Sequence, residues 1–307
     1  MNLISLALVF LLEQVRPLPQ ANPVHSLFES YSNDLEKRFN AGERSQGMLA
    51  WLLATVPAFV VVALVYFLLD SASVVMALIL NVVILYFLMG FRKLSLGFNE
   101  ILEALRADDL TAARQALSSW RNQPVDELEG AEVAKVAIEE GLLGVHRHIF
   151  GVTFWFILLP GPAGAVLYGL SALLSEKWGA RGGEEHLEFG AFSRKAFEIL
   201  DWIPSRLTAM TFAIVGNFED AIYCWRTQSN SWGDMAQGII LASGAGALGV
   251  RLGEALHQDG AVSFRPELGL GDEPGVSHMA NAIALVWRSL MVWACLIGLI
   301  TLVFWFD

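Results

Sequence analysis

Three pairs of acidic residues have types and spacings that suit metal and phosphate chemistry. The pairs are Glu139-Glu140, Glu184-Glu185, and Glu198 with Asp201. Carboxylates hold Mg²⁺ together with the phosphates of a substrate, so pairs that converge on one side of a membrane would suit such chemistry. Each pair taken singly is more typical of a solvated helix face.

Two further stretches resemble binding motifs but have simpler explanations. His146 and His148 are two residues apart and do not face each other on a helix, so a two-histidine metal site is not predicted. With Arg147, they are more typical of an anchor at lipid headgroups; contact with a substrate phosphate is the alternative.

The GAGALG run at 244–249 imitates a phosphate loop, but no strand pattern precedes it. We therefore predict close helix packing for the small-residue run 238–256.

The composition indicates the class of protein that must position these residues. The chain has 307 residues, of which 55% are hydrophobic and only 17% charged, which predicts a multi-pass membrane protein. A net charge of −11 argues against nucleic acid as a partner, and the apolar composition makes the lipid bilayer the expected partner. Cys224 and Cys295 are far apart and offer neither a disulfide framework nor a zinc pattern.

The predicted fold is all-α, with about 4–5 membrane helices in one integral-membrane domain over residues 1–307. Three apolar segments, 48–69, 72–91 and 281–306, are long enough to cross about 30 Å of hydrocarbon, since a helix needs roughly 20 apolar residues to do so. The predicted membrane segments are 2–14, 48–69, 72–91, 150–174 and 281–306. The first either crosses at a tilt or lies in the interface, and a tight turn at Asp70-Ser71 joins the second to the third. Polar helical regions occupy 93–148 and 175–280.

A break interrupts the fourth segment, 150–174, where Pro160-Gly161-Pro162 stands near its middle. Proline cannot donate a backbone hydrogen bond, so the segment is either one kinked span or a re-entrant hairpin. The Lys/Arg distribution places 15–47 and 92–148 in the cytoplasm, and a hairpin would keep 175–280 on that side as well.

A charged residue lies inside the last predicted segment. Arg288 is about a third of the way into 281–306. Intramembrane charge is costly and indicates either a functional site, such as the midplane site of a transporter, or a side chain that reaches back to the interface.

Six stretches, taken in order, resemble the CobD/CbiB family of cobalamin-biosynthesis membrane proteins and their AmpE relatives. NPVHSL is similar to an early H-P-V-R stretch, Pro160-Gly161-Pro162-Ala163 to a G-G-A-P break, and GAGALGVRLGE to an A-G-A-L-G-x-x-L-G-G block. The stretches are 22–27, 106–140, 160–163, 190–210, 244–254 and 265–283. Because the matched polar blocks flank the broken segment, the resemblance favours a re-entrant hairpin.

The resemblance implies an adenosylcobinamide-phosphate synthase, which joins an aminopropanol amine to a corrinoid carboxylate and is driven by nucleotide. Mg²⁺ and nucleotide are expected as cofactors only under this interpretation. The implied catalytic residues are Glu139, Glu198 and Asp201. The implied substrate-binding residues are Arg147, Ser193, Lys195 and Arg206. The implied metal ligands are Glu139, Glu184 and Glu198.

The departures from the family pattern point toward another role. The acidic E-T-V-A-E-N-x-x-D motif reads EEGLLGVHR here, so Glu139 remains while Arg147 replaces an aspartate. Phe197 replaces one member of an Asp-Asp pair. This erosion favours an AmpE-like sensory, signalling or accessory protein of the bacterial inner membrane, with a corrinoid or another membrane protein as its partner. The divergent synthase is the alternative.

Overall fold

The computed structural model describes residues 2–16, 23–40, 43–179, 184–258 and 261–306, and it is almost entirely helical. The helices are α1 (Asn2–Val15), α2 (Pro23–Phe39), α3 (Arg44–Ala72), α4 (Val74–Met89), α5 (Phe91–Arg106), α6 (Leu110–Arg121), α7 (Gly130–Val145), α8 (Gly151–Leu158), α9 (Ala163–Gly179), α10 (Glu184–Val215), α11 (Phe218–Gln228), α12 (Met235–Leu248) and α13 (Val276–Phe306). The strands are β1 (Arg251–Gly253), β2 (Leu256–Gln258), β3 (Ala261–Ser263) and β4 (Glu267–Gly269).

Residue contacts divide the chain into two compact units. Unit 1 comprises Met1–Arg92 and Arg147–Pro204, and unit 2 comprises Lys93–His146 and Ser205–Asp307.

Four helical runs are long and apolar enough to cross a membrane, which confirms the prediction of an all-α polytopic membrane protein. They are Arg44–Ala72, Val74–Arg106, Gly130–Leu158 and Val276–Val303. The third run differs most from the prediction. A π-helical turn at His146–Phe150 joins α7 to α8, so the helix continues through the boundary expected near residue 150.

In unit 1, the turn between the second and third predicted membrane segments lies at Ser73, and the prediction of Asp70-Ser71 is wrong. Ser73 is extended, with φ −165° and ψ 125°, which separates α3 from α4. Its carbonyl accepts from the N–H groups of Met76 and Ala77, so it already belongs to the first turn of α4. Asp70 and Ser71 fit within the last turn of α3 because the tight reversal needs only one non-helical residue.

The predicted break at Pro160-Gly161-Pro162 is confirmed. Gly161 has φ +71°, a left-handed conformation that L side chains rarely adopt, and it separates α8 from α9. A Cβ on Gly164 would lie 2.3 Å from the Trp155 carbonyl oxygen, and one on Gly151 would lie 2.2 Å from the Tyr168 hydroxyl. The pairs 155/164 and 151/168 have the same index sum, so α8 and α9 run antiparallel. Glycine at both contacts lets them pack closely. The segment is therefore a helical hairpin and not one continuous helix.

The N-terminal helix is built into unit 1 through a buried carboxylate. Glu13 of α1 accepts hydrogen bonds from the backbone N–H groups of Gly90 (2.8 Å) and Arg92 (3.1 Å). Gly90 is left-handed and ends α4, so these N–H groups belong to the unpaired first turn of α5. A carboxylate at a helix N-terminus is favourable, and here it fastens α1 to the junction of α4 and α5.

Each proline inside a long helix of unit 1 frees a carbonyl, and an aromatic donor pairs with that carbonyl. Pro57 cannot donate to the carbonyl of Leu53, which instead accepts from the Tyr31 hydroxyl at 3.1 Å. Pro204 likewise leaves the carbonyl of Leu200, which accepts from the indole N–H of Trp155 at 3.1 Å.

In unit 2, the small-residue run forms a helix only in its first half. Residues Gly238 to Ala247 of α12 are all buried, and Gly246 lies against the backbone of Asp220 in α11. Close packing is thus confirmed for the glycine-rich part. The helix ends at Leu248 because Gly249 is left-handed, with φ +68°, and the remainder of 238–256 enters strand β1. The expectation of one helix throughout 238–256 is wrong at this point.

Two short antiparallel ribbons follow α12. Strand β1 pairs with β4, with Arg251 opposite Gly269 and Gly253 opposite Glu267, and β2 pairs with β3. Gln228 of α11 holds β4 in place: it accepts from the Gly269 N–H at 2.6 Å and donates to the Gly269 carbonyl at 3.2 Å. The β1–β4 ribbon is consequently fixed against the helices of unit 2.

Cys224 and Cys295 are both free thiols in the structure. Cys224 lies buried in α11, where burial and the nearby Asp220 raise the pKa of its thiol to about 11.

Candidate functional site

A buried carboxylate on α7 is the centre of a charged cluster in unit 2. Glu139 accepts from both terminal nitrogens of Arg265, at 2.6 Å and 3.2 Å, and from the backbone N–H of Gly253 at 2.7 Å. Its side chain is only 6% exposed. A bidentate guanidinium–carboxylate pair is short and strongly directional, so Glu139 fixes the orientation of Arg265.

Arg265 is held on its other sides as well. Its guanidinium donates to the carbonyl oxygens of Gly253 (3.0 Å) and Glu254 (3.2 Å) and lies 5.6 Å from the ring centroid of Trp232. That distance is within the range of a cation–π contact. Arg265 therefore connects α7, the end of β1 and the segment before α12.

A second ion pair lies in the same cluster. Lys135, one helical turn before Glu139, has a side chain only 3% exposed, and its ammonium group pairs with the carboxylate of Glu254. Glu254 has φ +62°, and it stands where the A-G-A-L-G-x-x-L-G-G block of the resembled family has its last glycine. Left-handed backbone is costly for a residue with a side chain, so the ion pair compensates for a conformation that glycine would adopt without strain.

Arg251 completes the cluster but is paired only weakly. Its guanidinium comes to 3.9 Å from the Glu254 carboxylate, beyond hydrogen-bonding distance, and its side chain is 42% exposed. Its buried Nε has no hydrogen-bond partner.

A different arrangement surrounds Asp201 in unit 1. Asp201 is buried and accepts a hydrogen bond from the Tyr168 hydroxyl at 2.8 Å. The Tyr168 ring packs against Phe197, with centroids 5.4 Å apart, and the guanidinium of Arg147 lies 6.0 Å from the same Phe197 ring. Arg147 also pairs with Glu176 at 3.2 Å. The structure thus connects Arg147 and Asp201 through two aromatic rings.

The other expected site residues of unit 1 lie nearby on α10. Lys195 and Glu198 form an exposed ion pair one turn apart, at 2.9 Å. The buried Ser193 hydroxyl donates to the carbonyl of Gly190 at 2.9 Å, so its hydrogen is engaged within the helix. The side chain of Glu184 lies outside the described residues.

Two expected site residues belong to unit 2. They are Glu139, described above, and Arg206, which is half-buried on the last part of α10. Among the described side chains, no group of three or more His, Cys, Asp or Glu residues is placed to hold a metal ion.

The remaining sequence candidates have structural partners or outward positions. His146 is buried, and its Nδ1 lies 2.9 Å from the Thr208 hydroxyl within unit 2. Arg288 is exposed on α13, and its Nε donates to the Ala284 carbonyl of its own helix at 3.2 Å. This position suits a side chain that reaches toward the interface better than one that faces an interior pathway.

Sequence reasoning missed the cations that hold the acidic residues. Arg265 is 126 positions from Glu139, and Glu254 is 119 positions from Lys135, so no local spacing signals either pair. The only available signal for Glu254 was that it stands where the resembled family has a glycine. Arg265 is the first residue of the stretch 265–283, which resembles the family through a Gly-Asp motif further along.

The similarity to known proteins covers most of the chain. The family model described as CobD/Cbib protein matches residues 6–286. Cobalamin biosynthesis protein CobD of Stutzerimonas stutzeri is 35% identical over 87% of this chain and 87% of its own length. The protein of the same name from Chromobacterium violaceum is 34% identical over 81% and 74%, respectively.

A more distant relative, the probable cobalamin biosynthesis protein CobD of Methanocaldococcus jannaschii, is 24% identical over 73% of this chain and 75% of its own length. No solved structure matches the fold. With the match over residues 6–286 and four helices able to cross a membrane, the chain is a multi-pass membrane protein of the CobD/Cbib family.

Proposed function

We propose that this protein is an adenosylcobinamide-phosphate synthase of the bacterial inner membrane, which joins the amine of an aminopropanol to a carboxylate of a corrinoid. The observation that carries the proposal is the 35% identity, over 87% of both chains, to a relative named cobalamin biosynthesis protein CobD. That name favours the synthase over the AmpE-like sensory role suggested by the altered acidic motif.

The arrangement around Glu139 supports the same choice. An acidic residue that had lost its role would gain nothing from burial, because an ionised carboxylate away from water is costly unless it is paired. Here Glu139 is paired by Arg265 and by the Gly253 N–H, and both partners come from stretches that resemble the family. In this proposal Glu139 is a positioning residue that holds Arg265 beside the β1–β4 ribbon.

The described carboxylates do not fit a resident Mg²⁺ ion. Both oxygens of Glu139 already accept hydrogen bonds, and no group of three possible ligands is found among the described side chains. Any Mg²⁺ in the reaction is therefore assigned to the nucleotide, which enters as a substrate and supplies the activation of the corrinoid carboxylate. The residues of this chain are proposed to bind and orient the reacting groups.

The residues of unit 1 keep their proposed roles. Asp201, held by the Tyr168 hydroxyl, is the proposed proton acceptor for the amine, and Lys195 with Glu198 offers a charged pair at the surface. Arg147, and Arg206 of unit 2, remain proposed contacts for substrate phosphate or carboxylate, and Ser193 could donate only by leaving the Gly190 carbonyl.

Complementation tests the function directly. The protein is expressed in a strain that lacks its own cobinamide-phosphate synthase, and cobalamin made from cobyric acid is assayed. We expect cobalamin to be restored by the unchanged chain and lost with Glu139→Gln. The matched control is Glu140→Gln, which alters the neighbouring, more exposed carboxylate that pairs with Arg121.

Two outcomes would contradict the proposal. If the unchanged protein is present in the membrane and restores no cobalamin, the synthase assignment is wrong and the AmpE-like role is favoured. If Glu139→Gln restores as much cobalamin as Glu140→Gln, the function stands but the role given to Glu139 is wrong.

A further inference from the structure

Arg251 differs from the other cations of the unit 2 cluster because its hydrogen-bonding capacity is unused. Lys135 is paired with Glu254, and Arg265 donates to Glu139, Gly253 and Glu254. Arg251 makes no hydrogen bond through its guanidinium within the part of the chain that the structure describes, and its Nε is buried without a partner. A buried donor without a partner is costly, and a ligand that binds the guanidinium would lower that cost.

The backbone that carries Arg251 is fixed in place. Its N–H donates to the Asp272 carbonyl at 2.9 Å, and it stands opposite Gly269 in the β1–β4 register. The next residue, Leu252, is fully buried, which anchors the strand. A fixed backbone limits the freedom that the residue loses when its guanidinium binds, which favours its use in recognition.

The close ion pairs of the cluster do not include Arg251. The five side chains of the cluster carry three positive and two negative charges, and both carboxylates are already paired with other cations. Glu254 is the acid closest to Arg251, but its carboxylate is committed to Lys135 and stays 3.9 Å away. The positive charge of Arg251 is consequently the one that the described cluster leaves uncompensated at hydrogen-bonding distance.

We infer that Arg251 is a substrate-binding residue that receives a phosphate monoester. A guanidinium presents its donors in a planar fork that matches the oxygens of phosphate in a bidentate contact. The identity of the substrate rests on the proposed function, in which the product carries a phosphate, whereas the anion contact rests on the geometry of Arg251 alone. The ligand is thus the phosphate end of the aminopropanol substrate.

Protection from phenylglyoxal, which modifies exposed arginines, tests the contact without any need for activity. The purified full-length protein is treated with the reagent, with and without inorganic phosphate, and modification at single arginines is followed by mass spectrometry. We expect phosphate to slow modification of Arg251 several-fold and to leave Arg226 unchanged. Arg226 is a suitable control because it is exposed on α11 in the same unit. Equal rates at Arg251 with and without phosphate would overturn the inference.

A second arm separates a substrate phosphate from a lipid headgroup. A short-chain phosphatidic acid below its micellar concentration replaces inorganic phosphate in the same experiment. Protection by inorganic phosphate and by aminopropanol phosphate supports the substrate site. Protection by the lipid alone overturns it.

Kinetics then separate this inference from the proposed function. In the synthase assay, Arg251→Gln should raise the KM for aminopropanol phosphate roughly tenfold or more, with a smaller change in kcat, because a charge-assisted contact to the bound phosphate is lost. Arg251→Lys should recover part of the loss, and Arg226→Gln should match the unchanged protein. Unchanged KM in an active Arg251→Gln protein rules out Arg251 and leaves the function standing. Phosphate protection at Arg251 in a protein without synthase activity rules out the function and leaves the anion site standing.

Discussion

Glu139 in unit 2 and Asp201 in unit 1 are both buried carboxylates, and one described contact of each differs in the charge of the donor. Glu139 accepts two hydrogen bonds from the guanidinium of Arg265 and one from a backbone N–H. Asp201 accepts a hydrogen bond from the neutral hydroxyl of Tyr168. Both acids match or lie near motifs of the resembled family, so sequence comparison did not distinguish one from the other as a site residue.

The difference concerns what each site loses when one partner is removed. Removal of a cation leaves a buried carboxylate without a counter-charge, and the cost is large. Removal of a phenol hydroxyl costs one hydrogen bond to a carboxylate, which is a smaller loss. The unit 2 cluster is therefore expected to tolerate substitution poorly, whereas the contact of Asp201 with Tyr168 is expected to tolerate it better.

The largest effect is expected for Arg265→Ala. The change leaves Glu139 buried without its cation, and we expect a loss of about 3–5 kcal/mol in the free energy of unfolding. Unfolding of the detergent-solubilised protein, followed by circular dichroism, measures it, with Arg226→Ala as the exposed control.

A double variant checks the cause of that loss. Glu139→Gln combined with Arg265→Ala removes the stranded charge and should be more stable than Arg265→Ala alone. If the double variant is less stable by the sum of the two single changes, the ion pair is not the source of the effect.

A smaller loss, of roughly 1–3 kcal/mol, is expected for Glu254→Gly, which acts on the second ion pair of the same cluster. Glycine relieves the left-handed backbone at φ +62°, but it leaves the buried Lys135 without its carboxylate. The two effects oppose each other, and we expect the loss of the partner to dominate.

The variant Lys135→Met combined with Glu254→Gly isolates the cost of the unpaired ammonium group. Both proteins have glycine at 254, so the double variant should be more stable than Glu254→Gly alone by that cost. A single variant Glu254→Gly that is more stable than the unchanged protein would show that the backbone strain exceeds the value of the pair.

Tyr168→Phe should cost about 1.5 kcal/mol, since one hydrogen bond to the Asp201 carboxylate is lost and the ring still packs on Phe197. Thermal unfolding in the same detergent measures it. A loss as large as that of Arg265→Ala would mean that the two buried acids do not differ as described.

The smallest effect is expected for Glu198→Gln. Its ion pair with Lys195 is exposed on both sides, with side chains 51% and 61% exposed, and such pairs contribute roughly 0–1 kcal/mol. A clear loss of cobalamin synthesis together with unchanged unfolding would assign Glu198 to the reaction and not to the fold.

Three of the four candidate spans were predictable because their signal is local, whereas Gly130–Leu158 was missed because its larger part lies in the predicted polar region 93–148. About 20 apolar residues define each span, and Pro160-Gly161-Pro162 marks the break directly. The turn at Ser73 and the end of α12 at Gly249 were missed, because a single residue can reverse or stop a helix inside an otherwise apolar run.

The candidate site was only half predictable, and the reason is distance along the chain. Glu139 could be identified by its place in a resembled motif, but its cation lies 126 residues away, in a stretch without regular periodicity. Likewise, Asp201 was marked by its acidic neighbour, whereas Tyr168 lay within an apolar helix and carried no separate signal. Burial and pairing arise from tertiary packing, which residue spacing does not encode.

The hydrogen bond from Tyr31 to the Leu53 carbonyl links the polar helix α2 to the membrane helix α3. If α2 moved away from α3, that carbonyl would face hydrocarbon without a donor, which costs several kcal/mol. In water the same carbonyl would be solvated and the separation would be inexpensive. Surrounding lipid would therefore stabilise the contact between α2 and α3. We expect α2 to separate from α3 more readily in a thin or water-permeable detergent micelle than in a bilayer.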